Sequence, residues 1–182
     1  VATHLAHYLT LEGLGVRQWH RGFSASPEDA LSSSDTILLA VNDDQIQSFV
    51  KQHPALSDKN LVHFSGCLAI PGMTGLHPLM TFGPNLYSPS IYRNIPFISE
   101  EAGQSFAQTF PSLSNPEFAI PSAQKPLYHA LCVICGNFPM LLWERAIERL
   151  HSECGLPKRV VQPYLSKCLE NALLETNQAS TG

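Results

Sequence analysis

The sequence contains few charged residues. Asp, Glu, Lys and Arg make up 14% of its 182 residues, against about a quarter in an average soluble domain, whereas apolar residues make up 44%. A surface with so few charges predicts that part of it is covered, most simply by a second subunit. With a net charge of −4 and only 11 Lys and Arg, the chain lacks the basic clusters that nucleic-acid phosphates require, so we expect no nucleic-acid partner.

Cysteine is present, but not in a pattern that builds a disulfide framework or a zinc knuckle. The five cysteines are an odd number, and Cys132 and Cys135 have the C-x-x-C spacing of redox and zinc sites. This pair has no second pair to complement it and lies in an apolar run, which favours a buried structural role. We recognise no secretory leader ahead of the cysteines and expect reduced thiols in a cytoplasmic protein.

A clear membrane-spanning run is also lacking. The longest uncharged stretch, 126–143, is marginal against the roughly 20 residues that a span requires, and a histidine, a glycine, an asparagine and a proline interrupt it. We predict a buried helix that Pro139 kinks, and no membrane anchor. Because Leu127–Leu150 is apolar on nearly all sides as far as Glu144, we expect this helix to be covered.

What the sequence does contain is an alternation of short apolar strands and helices, which is typical of an α/β fold with a mostly parallel sheet. The pattern predicts strands at 16–21, 36–41, 61–64, 95–98 and 117–120. It predicts helices from residue 1 to the glycines at 13 and 15, and at 26–33, 45–53, 99–110, 126–151 and 158–175. Residues 83–93 are predicted as loop, and 36–41, apolar on both faces, as a central strand.

The order of these elements predicts two domains. A helix followed by the strand at 16–21 is the second part of a β-α-β unit, so we expect a first strand to precede Val1. After Ser122 the pattern becomes helical almost to the end. We therefore predict an α/β domain over residues 1–122 and a helical domain over residues 123–182.

The stretch Leu61–Phe82 places polar residues where two predicted strands end. Each of two short apolar runs stops at a histidine beside residues that turn the chain. Open parallel sheets bind their ligands at the carboxyl ends of the strands. The candidate binding residues at these ends are His63, Ser65, Gly66, His77 and Thr81.

Five motifs together closely resemble one protein family. VATHLA, ILLAVNDDQI, HFSG, LHPLMTF and KPLYHA…GNF occur in the order and spacing of bacterial Rossmann-like oxidoreductases whose C-terminal part is a domain of unknown function. These proteins are distantly similar to pyrroline-carboxylate reductase and the β-hydroxyacid dehydrogenases. The resemblance implies a Rossmann-type sheet whose first strand is missing from this chain, followed by an all-helical domain that forms a homodimer. The run Ala179–Gly182 resembles a segment that further helices follow, so we expect the chain to be clipped at both ends.

The resemblance also implies a dinucleotide site. In the family, VATHLA directly follows a glycine-rich turn that cradles the cofactor pyrophosphate, which places Val1 and Ala2 beside it. His20 and Arg21 follow the second predicted strand, where a basic residue pairs with the 2′-phosphate of NADP and an acidic one selects NAD. A solvated loop arginine would give the same sequence. We expect NADP, with NAD as the less favoured cofactor.

The end of the strand at 36–41 is the third cofactor element. Val41, Asn42 and Asp43 follow it, in the crevice where a dinucleotide crosses the sheet. Their backbone groups would contact the nicotinamide-side ribose. Asp43 would also serve as an ordinary helix cap, in either case.

A serine and a glycine are the candidates for substrate binding. In β-hydroxyacid dehydrogenases a Ser-Gly pair after the corresponding strand binds the substrate carboxylate, and Ser65 and Gly66, with His63 before them and Thr81 beyond, resemble that arrangement. A plain turn is the alternative reading of Ser65. A Ser-His hydrolase is disfavoured, because HFSGC is not a nucleophile elbow.

Four further residues are candidates for proton transfer or substrate contact. The resemblance implies a lysine in the inter-domain helix as proton donor, with an asparagine further along, which corresponds loosely to Lys125 and Asn137. His129 lies four residues after Lys125, on the same helix face, and His77 is held by the proline that follows it. Both histidines are equally explained as core residues. A metal bound by His63, His77 and His129 is not required by their spacing.

These observations predict an NADP(H)-dependent oxidoreductase that transfers a hydride between nicotinamide and a small carbonyl, imine or hydroxyacid. Whether catalysis occurs is open, because a non-catalytic dinucleotide-binding sensor can use the same scaffold. In a sensor, we expect Phe64, Phe82 or Tyr128 to fill the crevice. A third possibility is an assembly module that has lost cofactor binding.

Overall fold

Residues 1–174 are described by the computed structural model, and they divide into two units. The first, Val1–Cys132, has mostly parallel strands flanked by helices, and the second, from Val133 onward, is helical. The predicted fold class, a Rossmann-like α/β part followed by a helical part, is confirmed. The predicted domain boundary after residue 122 remains a prediction.

The first sheet is parallel and has β2 at its centre. It contains β1 (Thr36–Leu39), β2 (Asn60–His63) and β3 (Thr74–Gly75) in the order β1-β2-β3. The prediction of β1 as the central strand is wrong, because within residues 1–174 β1 pairs with β2 alone. β2 is the more deeply buried strand, with Leu61, Val62 and His63 all enclosed.

The second sheet contains β4 (His77–Pro78), β5 (Phe97–Glu100) and β6 (Glu117–Ile120), with β4 antiparallel and β6 parallel to β5. β6 has the predicted bounds. β5 begins two residues later than predicted and runs on to Glu100, so the expected helix cap at residues 99–101 is wrong. The local helix instead begins after Ser105, whose side chain forms a capping box with Gln108.

Five short helices complete the α/β part up to residue 120: α1 (Ala2–Leu11), α2 (Pro27–Leu31), α3 (Asp43–Gln52), α4 (Pro89–Arg93) and α5 (Phe106–Thr109). The first three correspond to predicted helices. α4 lies in the stretch predicted as loop, where Ser88 and Pro89 provide a helix start that the sequence pattern did not distinguish from a turn. Gly13 leaves α1 with a φ of 81°, a conformation that glycine adopts at little cost.

The strand predicted at residues 16–21 is absent from the described structure. Two local hydrogen bonds close a turn after it: the Trp19 Nε1–H donates to the Ala25 carbonyl at 2.9 Å, and the Gly22 amide donates to His20 Nδ1 at 3.0 Å. Most of these side chains are exposed, so burial provides little drive to extend the sheet here.

The core packs α1 and α4 against both sheets. Its largest fully buried side chains include Tyr8, Tyr92, Phe97 and Phe106, and the Tyr8 and Tyr92 rings stack at 5.3 Å. His4 is buried in the same cluster, where its ring nitrogens pair with the Tyr92 hydroxyl and the Gly83 carbonyl, each at 2.8 Å. His4 is therefore a satisfied core histidine.

The last α-helices within residues 1–174 are α6 (Lys125–Cys132), which belongs to the first unit, and α7 (Phe138–Cys154) and α8 (Gln162–Leu173), which belong to the second. A π-helical turn, Val133–Asn137, precedes α7, and Pro139 lies in the first turn of α7. The predicted helix at 158–175 begins four residues later than expected. Its last residue and the run Ala179–Gly182 lie outside the described residues.

The predicted buried helix is exposed in a single chain. Large apolar side chains of α7 are open to solvent, with Leu141 60% and Leu142 70% exposed. Ser122–Cys154 is long and apolar enough to cross a membrane by length and composition alone, which for one helix is weak evidence. One chain alone does not bury this helix, and its predicted cover by a second subunit remains a prediction.

Candidate functional site

The candidate site lies at the carboxyl ends of the parallel strands. Asp43 follows β1 and Ser65 follows β2, and the Ser65 hydroxyl donates to Asp43 Oδ2 at 2.6 Å. The same hydroxyl accepts the amides of Cys67 at 3.3 Å and Leu68 at 3.0 Å. Asp43 is thus engaged with the β2 loop, and Asn42 occupies the cap position of α3 instead. In this structure the hydrogen-bonding capacity of Ser65 is used within the protein.

Gly66 is where two histidines approach the backbone. A Cβ placed on Gly66 would overlap His129 Nδ1 and would lie 3.1 Å from His77 Nε2. The two imidazole rings are perpendicular, with centroids 5.8 Å apart. His129 Nδ1 is buried and has no hydrogen-bond partner. Only glycine leaves room for both rings to pack this closely against the backbone here.

His77 is held on its other side by Tyr128. Its Nδ1 lies 2.7 Å from the Tyr128 hydroxyl, and the two rings meet edge to face at 5.5 Å. Burial, with smaller contributions from His129 and Lys125, lowers the pKa of His77 to about 4. His77 is therefore a neutral imidazole at physiological pH.

His63, at the end of β2, is fully enclosed. Its Nδ1 accepts the Ser65 amide at 3.3 Å, whereas its Nε2 is buried without a partner. Burial and the nearby Lys125 lower its pKa to about 4, against the opposing effect of Glu100 and Asp43. An unpartnered buried nitrogen is costly, so its presence beside other polar groups marks the cluster as more than packing.

A buried ion pair adjoins His63. Lys125 Nζ lies 3.1 Å from Glu100 Oε1, and the two side chains are 3% and 12% exposed. The Ser122 hydroxyl donates to the other carboxylate oxygen of Glu100. Both charged groups of the ion pair lie against Gly75 of β3. A Cβ at this position would lie 2.6 Å from Lys125 Nζ and 2.7 Å from Glu100 Oε1.

The structure therefore brings together one part of the predicted site. The residues that share the carboxyl edge are Asp43, His63, Ser65, Gly66, His77, Lys125 and His129. Thr81 is exposed, and it is its carbonyl that accepts a hydrogen bond, from Tyr87. Asn137 is exposed in the π-helical turn of the second unit.

All seven predicted cofactor residues are exposed, including Asp43, which also bonds to Ser65. Val1 and Ala2 form the start of α1, which has no side-chain cap. His20 and Arg21 lie in a turn, and within residues 1–174 the Arg21 side chain makes no hydrogen bond or ion pair. Val41 and Asn42 lie exposed just past β1.

Sequence reasoning missed three contributors. Glu100 was predicted to cap a helix, and its pairing with Lys125 follows only from the later start of β5. Gly75 carried no signal, because nothing in the sequence shows which side chains would crowd it. Tyr128 was considered as a residue that fills the crevice, but its bond to His77 was not foreseen. In residues 1–174 no group of three His, Cys, Asp or Glu side chains is placed to hold a metal ion.

The strand order and this edge define a Rossmann-like α/β protein. Residues 97–182 match the family model of a domain of unknown function, DUF2520. No curated protein matches the chain in sequence.

Solved structures resemble the fold over most of the chain. A Bacteroides fragilis protein provisionally described as an NADP oxidoreductase is 19% identical, with a TM-score of 0.73 over 100% of this chain and 80% of that one. Plasmodium falciparum pyrroline carboxylate reductase with NADP bound is 16% identical, with a TM-score of 0.60 over 97% of this chain and 76% of that one. A Thermotoga maritima protein is 25% identical, with a TM-score of 0.56, and the chain spans 59% of its length. The resemblance predicted from the motifs is confirmed, and at these identities it establishes the fold.

Proposed function

We propose that the protein is an NADP(H)-dependent oxidoreductase that acts on a small carbonyl, imine or hydroxyacid. The observation that carries the proposal is the convergence of a buried lysine and three histidines on two glycines at the carboxyl edge of a parallel sheet. In folds of this kind ligands bind at that edge. Two of the structural neighbours are described in terms of NADP, which supports this choice of cofactor.

The residues present are compatible with a dinucleotide. The α1 N-terminus has no side-chain cap, so its first amides are available to a pyrophosphate. Arg21 is exposed and suited to a 2′-phosphate, and the backbone of Val41 and Asn42 is accessible beside β1. Bound nicotinamide would supply the hydride, and the protein would orient the substrate and manage the proton.

Lys125 is the group best placed to supply that proton. Its side chain is 3% exposed, so the site separates the ammonium from bulk water, and Glu100 fixes its position at Gly75. His63 and His77 are neutral at physiological pH and serve as hydrogen-bonding groups rather than as imidazolium acids. The ring nitrogens of His77 and His129 beside Gly66 would be the groups that hydrogen-bond to a substrate carbonyl.

The first test is calorimetric titration of the protein with NADPH and with NADH, repeated on Arg21→Ala. Arg17→Ala is the matched control, because Arg17 is exposed on the same stretch. We expect NADPH to bind more tightly than NADH, and Arg21→Ala to weaken NADPH alone. If a folded wild-type protein binds neither nucleotide, the dinucleotide proposal is wrong.

The second test separates an enzyme from a sensor. Oxidation of NADPH is followed with a panel of small aldehydes, ketones, cyclic imines and 2-oxoacids, for the wild type and for Lys125→Met. An enzyme turns over at least one compound, and Lys125→Met abolishes turnover while NADPH still binds. The contact of Tyr128 with His77 favours the sensor as the rival reading, and tight NADPH binding without turnover over the panel would support it.

Two further properties belong to the same proposal. We propose a homodimer formed through the second unit, because α7 exposes apolar side chains that water disfavours. We also propose a cytoplasmic protein, since all five cysteines are free in the described chain.

A further inference from the structure

His77 lies between the phenol of Tyr128 and the backbone of Gly66. One ring nitrogen, Nδ1, meets the Tyr128 hydroxyl at 2.7 Å, and the other, Nε2, faces Gly66 at the 3.1 Å distance of a notional Cβ. A neutral imidazole carries one proton on its two ring nitrogens. If Nδ1 accepts a hydrogen bond from Tyr128, the proton lies on Nε2, which is then a donor. The direction of this single hydrogen bond therefore sets whether Nε2, beside Gly66, is a donor or an acceptor.

The phenol is the donor in this bond. Burial raises the pKa of Tyr128, so it keeps its proton, and an imidazole nitrogen is a much better acceptor than its other neighbour, the Cys132 sulfur. If Nδ1–H donated instead, the buried phenol proton would be left with that weak acceptor. A neutral His77, as its lowered pKa requires, fits the first arrangement.

We propose that Tyr128 is a positioning residue that holds His77 in the tautomer protonated on Nε2, so that an N–H donor lies beside Gly66. The contribution of Tyr128 to turnover rests on the proposed function, whereas the tautomer of His77 does not depend on it. Opposite this donor lies the unpartnered Nδ1 of His129. An N–H donor on Nε2 would bind a group that accepts a hydrogen bond, such as a carbonyl or imine.

The tautomer is measured by long-range proton–nitrogen spectra of protein with isotope-labelled histidine. Wild-type His77 should show an unprotonated Nδ1 and a protonated Nε2. Tyr128→Phe removes the donor and keeps the ring, and it should give a mixture of tautomers. A protonated Nδ1 in the wild type, or an unchanged His77 in Tyr128→Phe, would overturn the proposal.

The chain contains a matched control. The Tyr92 hydroxyl makes the same kind of contact with His4 Nδ1, at 2.8 Å, in the core. Tyr92→Phe should alter the His4 signals and leave those of His77 unchanged. A change at His77 in this variant would show that the effect of Tyr128→Phe is general loosening, which contradicts the proposal.

Turnover gives the second readout. With a reducible compound from the panel, Tyr128→Phe should lower kcat about fivefold, the effect of losing one orienting hydrogen bond, with nucleotide affinity unchanged. If nucleotide binding fails in the wild type, the proposed function falls and the tautomer assignment is still decided by the spectra. If binding and turnover are normal in both proteins, the positioning role is wrong while the oxidoreductase proposal stands.

Discussion

At the scale of single residues, the ion pair between Lys125 and Glu100 is the most consequential feature. Replacing Lys125 by Met removes the cation and leaves the Glu100 carboxylate, 12% exposed, without it. We expect the free energy of unfolding to fall by about 3 kcal/mol, because an uncompensated buried charge is costly. Urea denaturation at neutral pH measures the change.

The double variant Glu100→Gln with Lys125→Met isolates the cause. It removes both charges, so most of the lost stability should return. Arg149→Met is the control, since Arg149 pairs with Glu153 and both side chains are more than half exposed, and it should have a small effect. A double variant as unstable as Lys125→Met would show that packing of the lysine stem matters, and not charge.

Gly75 provides a test of how tightly this cluster is packed. A methyl group there would lie 2.6 Å from Lys125 Nζ and 3.2 Å from His63 Cε1, and the lysine is too buried to move aside freely. We expect Gly75→Ala to destabilise the protein by about 2 kcal/mol. Gly15→Ala, where the added methyl meets nothing within 4 Å, should be neutral or slightly stabilising. Thermal denaturation of both variants measures the difference. If Gly75→Ala is as stable as Gly15→Ala, the side chains around Gly75 are not crowded as we infer.

The neutral histidines predict acid sensitivity. The unfolded chain binds a proton at each near pH 6.5, whereas folded His63 and His77 bind one only near pH 4. Stability is therefore unaffected by them above pH 6.5 and falls as the pH drops toward 4. Each contributes at most about 3 kcal/mol. Urea denaturation across this range should show a smaller loss for His77→Gln, and an unchanged one for the exposed His20→Gln.

At the scale of elements, α5 shows how local chemistry sets a boundary. The Ser105 hydroxyl accepts a hydrogen bond from the Gln108 backbone amide, and the Gln108 side-chain oxygen accepts one from the Ser105 backbone amide. Ser105→Ala should cost about 1 kcal/mol. Ser88 precedes α4 without such a cap, so Ser88→Ala should cost clearly less. Similar losses in both variants, measured by urea denaturation, would contradict the capping role.

The same scale shows what could be predicted. β6, α2 and the end of α1 follow from apolar runs, a Ser-Pro cap and a glycine exit, all of which are local signals. The predicted bounds of β5 lie two residues too early, because FISEE is equally typical of a strand end and of a helix start. Pairing with β6 is what makes this segment a strand. The stretch 16–21 has strand composition but gains too little burial to pair.

The same distinction between local signals and contacts distant in sequence applies to the candidate site. His63, His77, Lys125 and His129 could be singled out from strand ends and helix spacing, because parallel strands bring their carboxyl ends together. Glu100 and Gly75 could not, since their roles depend on contacts between elements distant in sequence.

At the scale of the whole molecule, the second unit exposes more apolar surface to water than is favourable for a helix pair on its own. Phe138, Met140, Leu141 and Leu142 of α7 are each at least half exposed. Burial of such side chains contributes roughly 1.5–3 kcal/mol each, enough together to drive association. The low charge content of the chain leaves little to oppose it.

Light scattering after gel filtration tests the homodimer that we propose. The wild type should elute at twice the chain mass of 20.0 kDa. Leu142→Glu places a charge where a side chain 70% exposed in one chain would be buried in the dimer, so it should shift the mass to that of the monomer. Ser152→Glu adds the same charge at another exposed position of α7 and should leave the dimer intact. A wild type that is monomeric at all concentrations would mean that α7 is covered by something other than its own copy, and the search would turn to a different partner.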